Sequence, residues 1–275
     1  MSAPERVQAD IAARARELLA VMHRAADTAA QFIAERSTHR DTLEWRSKAH
    51  QDYVSDVDTG AERLVREALL AAAPSARILG EELSPDATLD ADTLFVVDPL
   101  DGTTNFLHGY PQYAVSIALV IHGTLAAGVV RNVVSKETFS ALLGEGATRN
   151  GAPIMVSRID DPSLALVGTG FPFRTLEELP RYLRQLEAVA RATAGVRRAG
   201  SAALDLCDVA CGRFESFWEL ELSAWDIAAG LLIIREAGGI VTDLAGDPCK
   251  VARTGLVAGN RAMHAWTLAR VKADV

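Results

Sequence analysis

The chain has 275 residues, a formal net charge of -8, 49% hydrophobic and 23% charged residues. That length suits one large domain or two closely packed halves around a sizeable core. An acidic chain without a basic stripe argues against nucleic acid as partner, because phosphate backbones call for clustered Lys and Arg.

The start, MSAPERVQAD, is charged and lacks an apolar signal region. The longest apolar stretches, Tyr113–Ile121 and Ile227–Ile234, fall well short of the roughly 18 residues of a membrane span. Three cysteines in a chain of this length do not compose a disulfide framework. The expectation is a cytoplasmic protein with no membrane partner.

From residue 4 to about 36, Val7, Ile11, Leu18, Met22, Ala29 and Phe32 recur at helical spacing, predicting an amphipathic helix. A second helix is expected after Asp58, and a short strand over Arg77-Ile78-Leu79. Leu94-Phe95-Val96-Val97 reads as a buried strand ending at Asp98. YAVSIALVI, His122-Gly123 and LAAGVVRNVV read as a hairpin. Glu137–Leu143, Gly144, Gly146 and Asn150-Gly151 continue a meander.

Beyond residue 160, short strands alternate with helices. LALVGT and VRRAG precede helices near 175–194 and 201–211, and Phe214–Trp218 precedes a helix from Trp225 to Ala237. Ile240–Thr242, Leu256–Ala258 and a last helix from Arg261 complete the chain. An antiparallel region followed by an α/β region, both covered by helices, is the predicted order.

The chemistry concentrates in DPLDGTTNF, Asp98 to Phe106. Pro99 fixes φ and Gly102 permits close backbone approach. The N–H groups of Gly102, Thr103 and Thr104 would then lie free at a helix start, where phosphate binds. Carboxylates and free N–H groups at one spot fit together if a cation such as Mg²⁺ stands between acid and phosphate. Taken alone, an ordinary turn and cap would explain these residues equally well. Glu81 at the end of a short apolar run and Asp226 in the first turn of an apolar helix tilt the balance. Each has a plain explanation, a solvated loop and dipole compensation, but together they are acids dispersed over element ends, the layout of a metal site assembled by folding.

GEE at 80–82, DPLDGTTNF at 98–106 and WDIAAG at 225–230, in this order and spacing, resemble the inositol monophosphatase family. The resemblance also takes in GEGATRNGAPI, GTGFPF and RRAGSAALDLCDVACGRF, and runs from about residue 5 to the end. It implies a mixed α+β fold, a layered αβαβα sandwich of the sugar-phosphatase type. This would be a single domain with an N-terminal α+β half (about 1–155) and a C-terminal α/β half (about 156–275). It implies a lithium-sensitive phosphomonoesterase using two or three Mg²⁺ ions.

By motif, Glu81, Asp98 and the Leu100 carbonyl match ligands of a first metal, and Asp98, Asp101 and Asp226 of a second. Thr103, held by Asp58, matches the pair that aligns or deprotonates the attacking water, with Glu81 also in the catalytic set. The resemblance also implies that Asp101, Gly102, Thr103, Ala202, Glu219 and Asp226 bind substrate, the Gly102 and Thr103 N–H groups meeting the phosphoryl oxygens and Ala202 and Glu219 the hydroxyls of a polyol.

Myo-inositol monophosphate is the leading substrate. Histidinol phosphate and fructose 1,6-bisphosphate stay open, and a nucleotide 3′-phosphate is disfavoured by Thr104-Asn105. The resemblance further implies a homodimer, and it leaves open a role as partner of the transcription machinery. The six histidines are scattered; His108, just after the motif, is the one near enough to line the site, but capping or packing is the plainer explanation of a His there. Cys207 and Cys211 read as buried thiols, and Trp218 as a core residue.

Overall fold

The computed structural model describes residues 3–40, 45–49, 52–88, 90–173 and 175–272. Helix α1 (Ala3–Ser37) is followed by a hairpin of β1 (Trp45–Ala49) and β2 (Asp52–Ser55), which the sequence reading did not anticipate. Helix α2 (Asp56–Ala72) begins two residues before Asp58. Ser55 is its N-cap and Asp58 the acid of a capping box.

A seven-stranded sheet then forms in simple chain order. Its strands are β3 (Arg77–Gly80), β4 (Thr93–Asp101), β5 (Ala114–Ile121), β6 (Thr124–Asn132), β7 (Thr138–Leu142), β8 (Gly146–Arg149) and β9 (Ala152–Pro153), with the short helix α3 (Thr103–His108) between β4 and β5. Only the β3–β4 pair is parallel.

The remainder supplies β10 (Leu166–Thr169), α4 (Leu179–Ala190), β11 (Gly195–Arg197), α5 (Ala202–Ala210), β12 (Ser216–Leu222), α6 (Ala224–Glu236), β13 (Ile240–Asp243), β14 (Thr254–Gly259) and α7 (Arg261–Lys272). Its five strands run in the order β11-β10-β12-β14-β13.

Alternation along the strands decides the layers. On β4, Phe95 and Val97 pack with Leu18 and Met22 of α1 and Val65 and Leu69 of α2. Leu94 and Val96 face the other way, into a cluster with Leu204 of α5 and Ile227 and Leu231 of α6. That same cluster takes Phe217, Leu256 and Ala258 from the five-stranded sheet, so α5 and α6 lie between the sheets. Trp218 and Val257, one residue out of phase, pack outward with Tyr182 of α4 and Met263 and Val271 of α7. The order is therefore α1/α2, sheet, α5/α6, sheet, α4/α7, the expected αβαβα sandwich. Helix α6 is buried without interruption from Ile227 to Ile234, as a helix covered on both sides must be. Among the described residues no helix is long and apolar enough to cross a membrane.

Candidate active site

The strand that carries Asp98 does not stop there. β4 continues to Asp101, with Asp98 opposite Ser116 and Asp101 opposite Ala114, so three steps on β4 match two on β5. This is a bulge. Side chains alternate along a strand, so residues three apart would normally point to opposite faces. The extra residue returns Asp101 to the face of Asp98. Leu100 packs with the α1/α2 cluster on the other face. Pro99 suits the bulge because it has no N–H to leave unpaired, and Leu100 N donates to Asp98 Oδ1 at 3.0 Å.

Glu81 arrives from the neighbouring strand. Gly80 lies opposite Val97 in the parallel pair, and Glu81 N donates to Val97 O at 3.2 Å. Asp226 is the third residue of α6, where its Oδ2 accepts from Ser223 N at 2.6 Å in a capping box. Asp101 reaches across to the second half of the chain: its Oδ2 accepts from the Ser201 hydroxyl and from Ala203 N, the latter at 2.8 Å. Glu81, Asp98, Leu100, Asp101, Gly102, Thr103, Ala202, Glu219 and Asp226 all line one cavity of about 390 Å³. Asp58 stands behind it. Each candidate site residue carried over by motif is thus in the cavity wall or, for Asp58, hydrogen-bonded to it.

The charge balance is lopsided. Asp98 is 1% exposed. Its burial holds the carboxyl well above the usual range, and the negative charges of Glu81, Asp101 and Asp226 push the same way. Among the described residues no basic side chain pairs with it. Burial likewise pushes Asp101 up to about 6, against the Ser201 hydroxyl and the α5 N–H groups that favour its anion.

As the side chains stand, no three His, Cys, Asp or Glu among the described residues form a group that could hold a metal ion. The donor set nonetheless fits a hard divalent cation. Carboxylate oxygens and a backbone carbonyl are its preferred ligands, and a cation offsets the cost of keeping a carboxylate charged when it is buried among other acids.

Beside the acids stands a hydroxyl. Thr103 Oγ1 lies 2.8 Å from Asp58 Oδ1 and 3.0 Å from Leu100 O. The other Asp58 oxygen accepts from Ser55 N at 2.8 Å and from Ser55 Oγ at 2.6 Å. A carboxylate only accepts, so hydrogen bonding to Asp58 turns the Thr103 hydroxyl proton inward and leaves its lone pairs outward. Gly102, with φ +93, caps α3 in a left-handed conformation. A Cβ there would meet Gln112 O at 2.9 Å. The first N–H groups of this helix have no intrahelical partner.

The opposite wall contains residues the sequence reading passed over. Arg198 lies over the rings of Phe171 and Phe173, 5.3 and 4.7 Å from their centroids. It is a cation in an acid-lined cavity, and only its place in RRAG, the start of a stretch the resemblance takes in, pointed to it. Asp205 is 2% exposed, and its Oδ1 has no hydrogen-bond partner. Burial first, then the negative charge of Glu219, drives its carboxyl well up. An acid on the apolar helix AALDLCDVA was the available signal. Ser201, which holds Asp101, and Glu62, 0% exposed on α2, were also missed.

His108 does line the cavity. Trp218 is fully buried and stacks on Tyr182, so it belongs to the core. Cys207 and Cys249 are buried and Cys211 half-buried, all free thiols.

The model of the inositol monophosphatase family matches residues 14–274. The Nus factor SuhB of Pseudomonas aeruginosa is 44% identical over 88% of this chain and 91% of its own. The inositol-1-monophosphatase of Rhizobium meliloti is 43% identical over 88% and 91%. Among solved structures, the extragenic suppressor protein suhB of Bartonella henselae superposes with a TM-score of 0.88 at 38% identity, covering 94% of this chain and all of that one.

Proposed function

We propose that this chain, which belongs to the inositol monophosphatase family, is a Mg²⁺-dependent phosphomonoesterase whose substrate is a small polyol phosphate, myo-inositol monophosphate foremost. The observation that carries the proposal is the burial of Asp98 among Glu81, Asp101 and Asp226, with no basic side chain paired to it among the described residues. Such a centre calls for a divalent cation, and through it an anionic ligand, even in an acidic protein.

Glu81, Asp98, Asp226 and Asp101, with the Leu100 carbonyl, would hold two or three Mg²⁺ ions. Bound there, Mg²⁺ supplies Lewis-acid polarisation of the phosphate and a nucleophilic water at neutral pH. The chain's own residues do the aligning. Asp58 orients Thr103 so that its hydroxyl oxygen accepts from the attacking water. The N–H groups of Gly102 and Thr103 face the phosphoryl oxygens, offsetting charge that grows in the transition state. Glu219 and the start of α5 at Ala202 bound the space for the alcohol, where a carboxylate accepts hydrogen bonds from sugar-like hydroxyls.

A phosphate-release panel tests this reading: inositol 1-phosphate, histidinol phosphate, fructose 1,6-bisphosphate and a 3′,5′-bisphosphorylated nucleoside, each with and without Mg²⁺ and Li⁺. The expected result is Mg²⁺-dependent, Li⁺-inhibited turnover led by the inositol ester. Turnover indifferent to Mg²⁺ would defeat it. Sedimentation tests the accompanying expectation of a homodimer.

The relatives named Nus factor SuhB favour a second role, as a partner of the transcription machinery, alongside catalysis. Pulldown of RNA polymerase by the purified chain tests it.

A further inference from the structure

Helix α2 presents two buried acids one turn apart, Asp58 and Glu62. Asp58 holds Thr103. Glu62 points to the other recognised motif. Its Oε2 accepts from Glu82 N at 2.7 Å and from Leu83 N at 3.2 Å, and its Oε1 lies 3.3 Å from Leu83 N. The turn after β3 is thereby tied to α2 immediately beyond Glu81.

Gly80 completes the arrangement. A Cβ at that position would lie 2.1 Å from Glu62 Oε1, so the carboxylate occupies the space that any other residue would fill. Arg66 Nη1 approaches Glu62 Oε1 at 3.9 Å and donates to Ser84 Oγ at 2.9 Å, bracing the far side of the same turn.

A fully buried carboxylate needs hydrogen bonds to be tolerated. Among those Glu62 receives are bonds from Glu82 N and Leu83 N, the two backbone amides that immediately follow a cavity-lining acid. We infer that Glu62 is a positioning residue for Glu81: it fixes the Gly80–Leu83 turn so that the Glu81 carboxylate is presented to the divalent cation. This rests on the metal-dependent reading above and adds to it a residue that itself lies outside the cavity wall. Groups behind a metal's direct ligands commonly matter about tenfold to a hundredfold in metal affinity.

Mn²⁺ serves as the probe, in calorimetric titrations of the full chain and its variants. Glu62→Gln keeps the shape and one acceptor oxygen but loses the second acceptor and the charge. It should bind Mn²⁺ about tenfold to a hundredfold more weakly. The half-saturating Mg²⁺ for phosphate release should rise in parallel, with kcat at saturating Mg²⁺ within about threefold of wild type, the split expected of lost positioning.

Gly80→Ala attacks the same contact from the other side and should weaken Mn²⁺ likewise, which keeps the inference testable if Glu62→Gln does not fold. Wild-type Mn²⁺ affinity in either folded variant overturns the inference. Asp98→Asn separates the two levels. If wild type binds Mn²⁺, Asp98→Asn does not and Glu62→Gln binds normally, the positioning role alone falls. If wild type binds no Mn²⁺, the functional reading falls and takes this inference with it.

Discussion

Asp98 and Asp101 line one cavity although they are three residues apart on a single strand, because β4 carries one more residue than β5 between their partners Ser116 and Ala114. Restoring a regular register would turn one of the two away. Deleting Pro99 should therefore abolish phosphate release while leaving the far-UV circular dichroism close to wild type. Retained activity would show that the bulge is incidental.

The Thr103–Asp58 hydrogen bond predicts a loss confined to the chemical step. Thr103→Val, which keeps the shape without the hydroxyl, should lower kcat by about 10²- to 10⁴-fold, with Mn²⁺ affinity unchanged by calorimetry. A KM effect with normal kcat would move Thr103 from water alignment to substrate binding.

Gly102 should tolerate no side chain. At φ +93, with backbone carbonyls at 2.9 and 3.2 Å from a Cβ, Gly102→Ala combines strain and overlap. It should cost about 1–3 kcal/mol in urea unfolding, together with activity. A neutral effect would mean that the loop relaxes freely and that its geometry is not what sets the phosphate site.

The metal-free protein should lose stability as pH rises. Asp98 and Asp101 both have folded pKa values above their unfolded ones, Asp101 at about 6. The folded state then binds more protons than the unfolded chain between about pH 4 and 6, and stability falls as pH climbs through that window. Thermal melts in chelator should show this fall for wild type, and Asp98→Asn should flatten it. The opposite slope would mean that a cation of the protein's own already neutralises the acids.

Much of this was legible in the sequence, for identifiable reasons. Leu94 to Val97, YAVSIALVI and IAAGLLII carry patterns long enough to fix element type, and they sit where expected as β4, β5 and α6. The four acids were legible as a set because the sequence pattern puts each at or just past the end of an apolar run or at the start of one. Three features were not. The bulge was hidden because Asp-Pro-Leu-Asp-Gly reads as a strand end followed by a turn, and only the cross-strand register with β5 reveals that the strand continues. The β1–β2 hairpin lies in a polar stretch without clear alternation. Glu62 was invisible because a glutamate among Arg63, Arg66 and Glu67 looks like any solvated helix face, and its burial depends on a turn twenty residues further on. Arg198 and Asp205 were missed for a related reason, since the loop and helix that carry them gain meaning only when the second half of the chain folds over Asp101.

Substrate choice should reside in the wall away from the acids. Glu219→Ala should raise KM for inositol 1-phosphate by about 10- to 100-fold. KM for p-nitrophenyl phosphate, which has no polyol hydroxyls, should stay near wild type. Equal losses on both esters would group Glu219 with Glu81, Asp98 and Asp226 instead.

The account depends above all on a divalent cation among Glu81, Asp98, Asp101 and Asp226, and direct titration of the purified, chelator-stripped chain with Mn²⁺ measures it. Saturable binding in wild type that disappears in Asp98→Asn and in Asp226→Asn, with both variants folded, is the predicted result. Equal Mn²⁺ binding by all three proteins, or none by the wild type, would contradict it.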